Sequence, residues 1–283
     1  MNFRFDKLLK DRQSDFYKSA LPVDSYIEDI KLIKPIHNGG FSWVYQGIDN
    51  QAKDIIIKEF FPHKYVFRHE SNLDIHKNKF ELYAEAYRNF IDECYLLNLV
   101  NFNVGFPRVK GVYYLNNTMY CALFKERGFT LSYFMRVKPN YFLKEDKIRY
   151  FLKLFINALD ILHSQNILHL DIHPANILVN PQGKLILLDL GSARHLNDVR
   201  INNSNYNLRT VTQGFSAPEL LRSELHLNFS TDIYSVGACL NALCAKHIHK
   251  YSVSLQKFVK ICMNDSPILR PQSLKDMIFN EFK

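Results

Sequence analysis

Apolar positions along the chain change rhythm partway, and the change divides the sequence. Between Tyr26 and Lys58 they come in short runs separated by turn residues. Ile30, Leu32 and Ile36 lead to Asn38-Gly39-Gly40. Phe41, Val44 and Tyr45 lead to a turn at Asp49-Asn50, and Ile55-Ile56-Ile57 ends on Lys58. These signals predict two strands joined at a glycine turn and then a third. Residues 59–80, charged and carrying Pro62 and several histidines, read as an irregular insertion. Leu82, Ala86, Phe90, Cys94 and Leu97 then recur at helical spacing over residues 81–100, and strands return near 108–115 and 118–124. Helical spacing from Lys144 to Ser164 predicts a long buried helix. Residues 192–216 are polar and loop-like, and 230–245 and 252–263 read as helices.

A strand-rich first part followed by a helix-rich second part is an α+β pattern, and it predicts two lobes with a cleft between them. The reading assigns residues 1–24 to a polar, partly helical extension, 25–126 to the first lobe and 127–283 to the second, with the junction by Gly128. The sequence contains no internal repeat and no low-complexity segment.

Composition narrows the class. With 47% hydrophobic and 23% charged residues the chain reads as globular rather than disordered. The formal charge is +8, but no run of five basic residues occurs, so the expectation is no nucleic-acid partner. The five cysteines (Cys94, Cys121, Cys239, Cys244, Cys262) form no CxxC pair and sit in apolar contexts, which fits free buried thiols in a reducing compartment. The first residues lack the apolar core of a signal peptide, and no apolar run approaches the ~18 residues of a membrane span. The expected setting is cytoplasmic.

The chemistry concentrates in Ile167 to Gly191. Asp171 and Asn176 stand five apart, and Asp189 follows Asp171 by eighteen residues, just before Leu190-Gly191. Two carboxylates and an amide at such separations suit phosphoryl transfer from a metal-bound nucleotide: one carboxylate orients a hydroxyl, and the other acts with the amide on the metals.

Several motifs in order over residues 26–275 resemble the protein kinase family, in a divergent form similar to bacterial Ser/Thr kinases. Ile36 to Tyr45 looks like the glycine-rich loop whose bare amides cover ATP phosphates, although His37 and Ser42 stand where two glycines are usual. Ile56-Ile57-Lys58 resembles the strand ending in the lysine for the α- and β-phosphates. Glu93 lies at the helix position of its carboxylate partner, with Glu85 and Glu81 as rivals. The segment after Lys58 resembles an insertion found in some bacterial kinases. His169-Leu170-Asp171-Ile172-His173-Pro174-Ala175-Asn176 resembles the catalytic loop, and Leu188-Asp189-Leu190-Gly191 the metal-binding element. Thr212 through Ala217-Pro218-Glu219 resembles the end of an activation segment. Asp232 matches the buried aspartate that braces the catalytic loop, and Glu219 matches the partner of Arg270.

What the resemblance implies is a two-lobed protein-kinase-like fold, with a small β-rich N-terminal lobe, a shortened helical C-terminal lobe, and ATP with Mg²⁺ (or Mn²⁺) as cofactors. Asp171 is the expected base. Lys58, His173, Asn176 and Asp189 complete the catalytic set, and Asn176 and Asp189 are the metal ligands. The nucleotide would meet Ile36, Gly39, Gly40, Phe41, Val44, Ile56, Lys58, Glu93 and Leu178, with Leu123, Phe124 and Glu126 at a hinge whose backbone reads the adenine edge. Thr212 and Pro174 favour Ser/Thr over Tyr acceptors in a protein substrate.

The departures are Leu170 for an arginine that receives a phosphorylated activation loop, His173 for a lysine, and Leu190 for a phenylalanine. Asp232 and Arg270 are only 38 residues apart, so helices that usually serve substrate docking read as truncated. His163 reads as helical surface and His169 as a core histidine. His247 and His249 carry no clear metal site. Ser192, Ser204, Thr210, Thr212 and Ser216 are candidate autophosphorylation sites. Two other readings stand beside the kinase: a pseudokinase acting as a nucleotide-binding scaffold, and a small-molecule phosphotransferase.

Overall fold

A computed structural model describes residues 19–138, 140–141, 144–180, 182–197, 211–221, 227–245 and 250–273. Ser204, Thr210, His247, His249 and most of the N-terminal extension lie outside these. The chain divides into two compact units. One comprises residues up to Asn98 together with Arg108–Lys125, and the other comprises Leu99–Pro107 and residues from Glu126 on.

The first unit is built on an antiparallel sheet. Its strands are β1 (Tyr26–Ile27), β2 (Ile30–Asn38), β3 (Ser42–Asp49), β4 (Asp54–Phe60), β7 (Val109–Leu115) and β8 (Thr118–Phe124), in the order β1-β2-β3-β4-β8-β7. Alternation gives its two faces different work. Trp43, Tyr45, Ile55, Ile57, Tyr120 and Ala122 form one buried core with Leu21, Ile27, Ile30 and Leu32. The opposite face carries Val44, Ile56, Lys58 and Leu123, with Val44 directly across from Lys58 and Ile56 across from Leu123.

The stretch read as irregular contains a hairpin, β5 (Val66–His69) with β6 (Asn72–Ile75). Its alternation is masked in sequence because Arg68 takes the inward position across from Leu73. After it comes α1 (Phe80–Leu99), which buries Ala86, Phe90, Glu93, Cys94, Leu96 and Leu97. Leu82, expected on that face, stays exposed in the first turn.

The second unit holds α2 (Leu131–Val137), α3 (Glu145–His163), α4 (Phe229–Cys244) and α5 (Val253–Cys262). Its short strands are β9 (Phe129–Thr130), β10 (Ile167–Leu168), β11 (Ile177–Val179), β12 (Leu185–Leu187) and β13 (Arg194–His195), paired as β9-β11-β12 and β10-β13. Helix α3 begins with Glu145 and Asp146, which suit the positive end of the helix dipole, and buries Ile148, Phe151, Leu152, Phe155, Leu159 and Leu162. Asn228 and Thr231 form a capping box at the start of α4. Gly237 lets α5 approach α4: a Cβ there would sit 2.6 Å from the Cβ of Cys262. Residues 99–107 join this unit through a backbone bond from Leu187 N–H to Gly105 O at 2.8 Å. Gly128, the expected junction, has φ +147, and a Cβ there would lie 2.4 Å from Val179 O, so no other residue fits without movement.

Candidate functional site

In the first unit the ammonium of Lys58 lies 2.6 and 2.7 Å from the two carboxylate oxygens of Glu93. The lysine lies near the end of β4, on the face that α1 covers. Phe60, two residues on, packs there against Tyr83, Tyr87 and Phe90, each ring centroid 5.4 Å away. Of the three acidic candidates on α1, Glu93 takes both contacts. It is buried, so the pair is screened by solvent less than a surface bridge.

The glycine turn is closed by a bond from Gly39 N–H to Ser42 O at 2.9 Å. Gly40 has nothing within 4 Å of a built Cβ, and neither glycine has a positive φ. Their backbone conformation therefore does not require glycine. The open space at Gly40 leaves room for a ligand to approach the backbone there. Ile36 and Phe41 flank the turn, both exposed.

The Phe124 ring packs on the core face, not the Lys58 face, and lies under Lys53 and Arg108 at 5.5 and 5.0 Å. Its N–H donates to Arg108 O at 2.9 Å. Leu123, one residue earlier, faces the Lys58 side. A separate concavity of about 690 Å³ on this unit, lined by Phe67, Phe80, Tyr83, Tyr87 and Tyr114 among others, contains none of the predicted site residues.

In the second unit the loop from His169 to Asn176 converges on Asp171, which is 9% exposed. Thr212 Oγ1 donates to Asp171 Oδ1 at 2.8 Å. Asn176 Nδ2 lies 3.1 Å from Oδ2 and 3.2 Å from the Asp171 carbonyl. His173 Nε2 stands 3.6 Å from Oδ2, and its Nδ1 accepts from Ala175 N–H at 3.3 Å. The loop is tied to its neighbours by Ser132 N–H on Pro174 O and Leu188 N–H on Asn176 O, both at 2.9 Å.

Asp232 sets the entry to this loop. Its carboxylate accepts from His169 N–H at 2.8 Å and Leu170 N–H at 2.9 Å. Leu170 has φ +65, a conformation that side chains rarely adopt, and these bonds offset its cost. Its side chain is buried with Leu168, Leu196, Ala217, Leu220 and Leu227, so the position that would carry a phosphate-receiving arginine instead fills an apolar cluster.

His163 corrects another expectation. It is not simply surface, because its Nε2 lies 2.9 Å from Asp232 Oδ2 and its ring stacks on Phe229 at 4.4 Å. Burial works against the Asp232 charge, but the bond from His163 and the His169 amide hold the carboxyl below its usual range. Burial pushes the His169 imidazole below its usual value, which keeps it neutral. Its Nδ1 accepts from Asp171 N–H at 3.3 Å, and its Nε2 is buried without a hydrogen-bond partner.

Asp189 Oδ1 accepts from Gly191 N–H at 2.9 Å, which fixes the carboxylate at the loop after β12. Leu190 is fully buried. Leu178 lies on β11 and is 9% exposed, and Glu126 opens this unit half-buried. Glu219 and Arg270 form a bidentate pair at 2.6 and 2.8 Å with both side chains buried. Ser216 Oγ accepts from Thr212 N–H at 2.8 Å, so this candidate phosphosite already serves the segment's own geometry.

Among the described residues no group of three or more His, Cys, Asp or Glu could hold a metal. Asn176 and Asp189 offer an amide oxygen and a carboxylate, a sparse set that suits a hard cation keeping water and substrate phosphates in its shell. Among the described residues no helix is long and apolar enough to cross a membrane.

A model of the protein kinase domain matches residues 30–277. Mitogen-activated protein kinase 13 of Bos taurus is 37% identical over 119 residues, which is 41% of this chain and 31% of that protein. Cyclin-dependent kinase 12 of Drosophila melanogaster is 26% identical over 270 residues, 91% of this chain and 22% of that protein. The matched region thus spans less than a third of these relatives' length. A solved structure described as "PpkA-294 apo form" has a TM-score of 0.77, covering 93% of this chain and 99% of that one at 24% identity; it shares the fold, a β-rich N-terminal sheet and a helical C-terminal region.

Proposed function

The chain belongs to the protein kinase family, and from that premise we propose that it is an ATP-dependent protein serine/threonine kinase, capable of autophosphorylation. The observation that carries the reading is the environment of Asp171: a mostly buried carboxylate with one oxygen on Thr212 and the other on Asn176. Such a group is held in one orientation and can accept the proton of an incoming hydroxyl.

Lys58, steadied by Glu93, would bind the α- and β-phosphates. The turn at Gly39 and Gly40 would cover them, and Val44, Ile56 and Leu178 would pack on the adenine. Asn176 and Asp189 would hold Mg²⁺ or Mn²⁺, which would supply positive charge to offset that of the phosphates. Little covalent chemistry falls to the protein, so positioning and charge stabilisation supply the rate. Thr212 on Asp171 supports Ser/Thr acceptors. Phosphoamino-acid analysis after incubation with γ-labelled ATP and Mg²⁺ tests this. Label on serine or threonine is expected, and label on tyrosine alone overturns the specificity.

A second reading, a nucleotide-binding pseudokinase, draws on one observation: His37 and Ser42 replace glycines in a turn whose two remaining glycines have ordinary φ. Binding of Mg²⁺-ATP with no transfer to any acceptor, the chain itself included, would favour it.

A further inference from the structure

Two successive residues of β4 carry ion pairs on opposite faces of the sheet. Lys58 faces α1 and holds Glu93. Glu59, behind it, is fully buried and takes Arg68 Nη2 at 2.7 and 2.9 Å. Tyr45 Oη donates to Glu59 Oε2 at 2.7 Å and Tyr120 Oη to Oε1 at 2.9 Å. Tyr120 is the cross-strand neighbour of Glu59 on β8, and Tyr45 comes from β3. One carboxylate therefore joins three adjacent strands at the level of Lys58.

Arg68 extends the junction. Its side chain is 4% exposed. It donates to Ser19 O at 2.7 Å and Ser71 O at 3.0 Å, and lies 4.9 Å from the Phe61 ring centroid. Tyr45 Oη in turn accepts from Leu21 N–H at 3.1 Å. The pair thus draws the hairpin β5–β6 and the lead-in at Ser19–Leu21 onto the back of β4. Only residues 76–79 separate this hairpin from α1, the helix that carries Glu93.

Stability alone does not account for such a pair, since buried ion pairs are often replaced by apolar side chains without loss. Position does. Any slide of β4 against β3 or β8, or of the hairpin against β4, breaks several charge-assisted bonds at once. We propose that Glu59 and Arg68 are positioning residues for the Lys58–Glu93 pair, fixing β4 and the start of α1 in one mutual arrangement. The proposal rests on Lys58 being the phosphate ligand argued above.

The test uses the full chain as wild type, Arg68→Met, Arg68→Lys and Glu59→Gln, each confirmed folded at the assay temperature by circular dichroism. One readout is the rate at which a small acylating reagent modifies Lys58, followed by mass spectrometry. Lys110, held by Asp29 and Asp49 at 3.0 and 3.2 Å in the same unit, is the internal control. The other is KM for ATP against kcat.

Arg68→Met is expected to speed Lys58 modification by about three- to tenfold and raise KM for ATP by a similar factor. Lys110 should be unchanged, and Arg68→Lys should fall between. Equal acceleration at Lys110 would mean general loosening and overturn the proposal, as would wild-type modification of Lys58 in folded Arg68→Met. Should Arg68→Met fail to fold, Glu59→Gln, which keeps the side chain's shape, decides by the same criterion. Modification of Lys58 needs no phosphotransfer, so an inactive chain would sink the kinase reading while leaving this one decided.

Discussion

Thr212 donates its hydroxyl to Oδ1 of Asp171 at 2.8 Å, joining residues 41 positions apart in the chain. Asn176 meets the other oxygen, so neither can rotate away without breaking a bond. Replacing Thr212 with Val should cost about 1.5–3 kcal/mol of transition-state stabilisation, roughly ten- to a hundredfold in kcat, as expected for a hydrogen bond to a charged group. Thr212→Ser should keep most of the rate. Steady-state kinetics of the two variants checks this, and equal loss in both would show that the hydroxyl is not what matters.

Asp232→Ala should destabilise the second unit more than an ordinary surface change. It leaves the N–H groups of His169 and Leu170 unpaired in the interior, at about 1–3 kcal/mol each. It also frees Leu170 from the contact that holds its positive φ. Thermal or urea melting should show a clear drop, and a melting curve matching wild type would mean that the loop is braced elsewhere.

The Glu219–Arg270 pair predicts an asymmetry. Arg270→Met should cost about 3–5 kcal/mol because it strands a buried carboxylate. Adding Glu219→Leu should recover part of this but not all. Arg270 also donates to Asn264 O at 2.6 Å and Ser230 O at 3.1 Å, and it lies 4.9 Å from the Tyr234 ring centroid. Denaturant titration of the single and double variants measures the recovery.

His173 stands 3.6 Å from Asp171, where a positive charge would favour a transferring phosphoryl group. Replacing His173 with Ala should lower kcat while leaving the melting curve close to wild type, and His173→Lys should retain the rate. Wild-type kcat in a folded His173→Ala would show that His173 takes no part in transfer.

Much of this arrangement is legible in the sequence because it is carried by local order: Asp171 and Asn176 in one loop, Asp189 before a glycine, Lys58 at the end of an apolar run. Helix α1 is legible through its spacing, and the position of Glu93 on it ranks that residue above Glu85 and Glu81. Other features are set by tertiary neighbours. Glu59 looks like the polar end of a strand, and nothing local announces Arg68, Tyr45 and Tyr120 around it. Arg68 also hides the hairpin, since an inward-facing arginine breaks the alternation by which a strand is recognised. His163 reads as surface because its partner, Asp232, is 69 residues away.

The most direct test of the central claim is γ-phosphate transfer by wild type beside Asp171→Asn, with melting curves for both. Wild type should label serine or threonine. Asp171→Asn should melt within a few degrees of it and lose about 10²–10⁴-fold in kcat, the usual contribution of a positioned base. A folded Asp171→Asn that transfers phosphate at the wild-type rate would contradict the role assigned to Asp171.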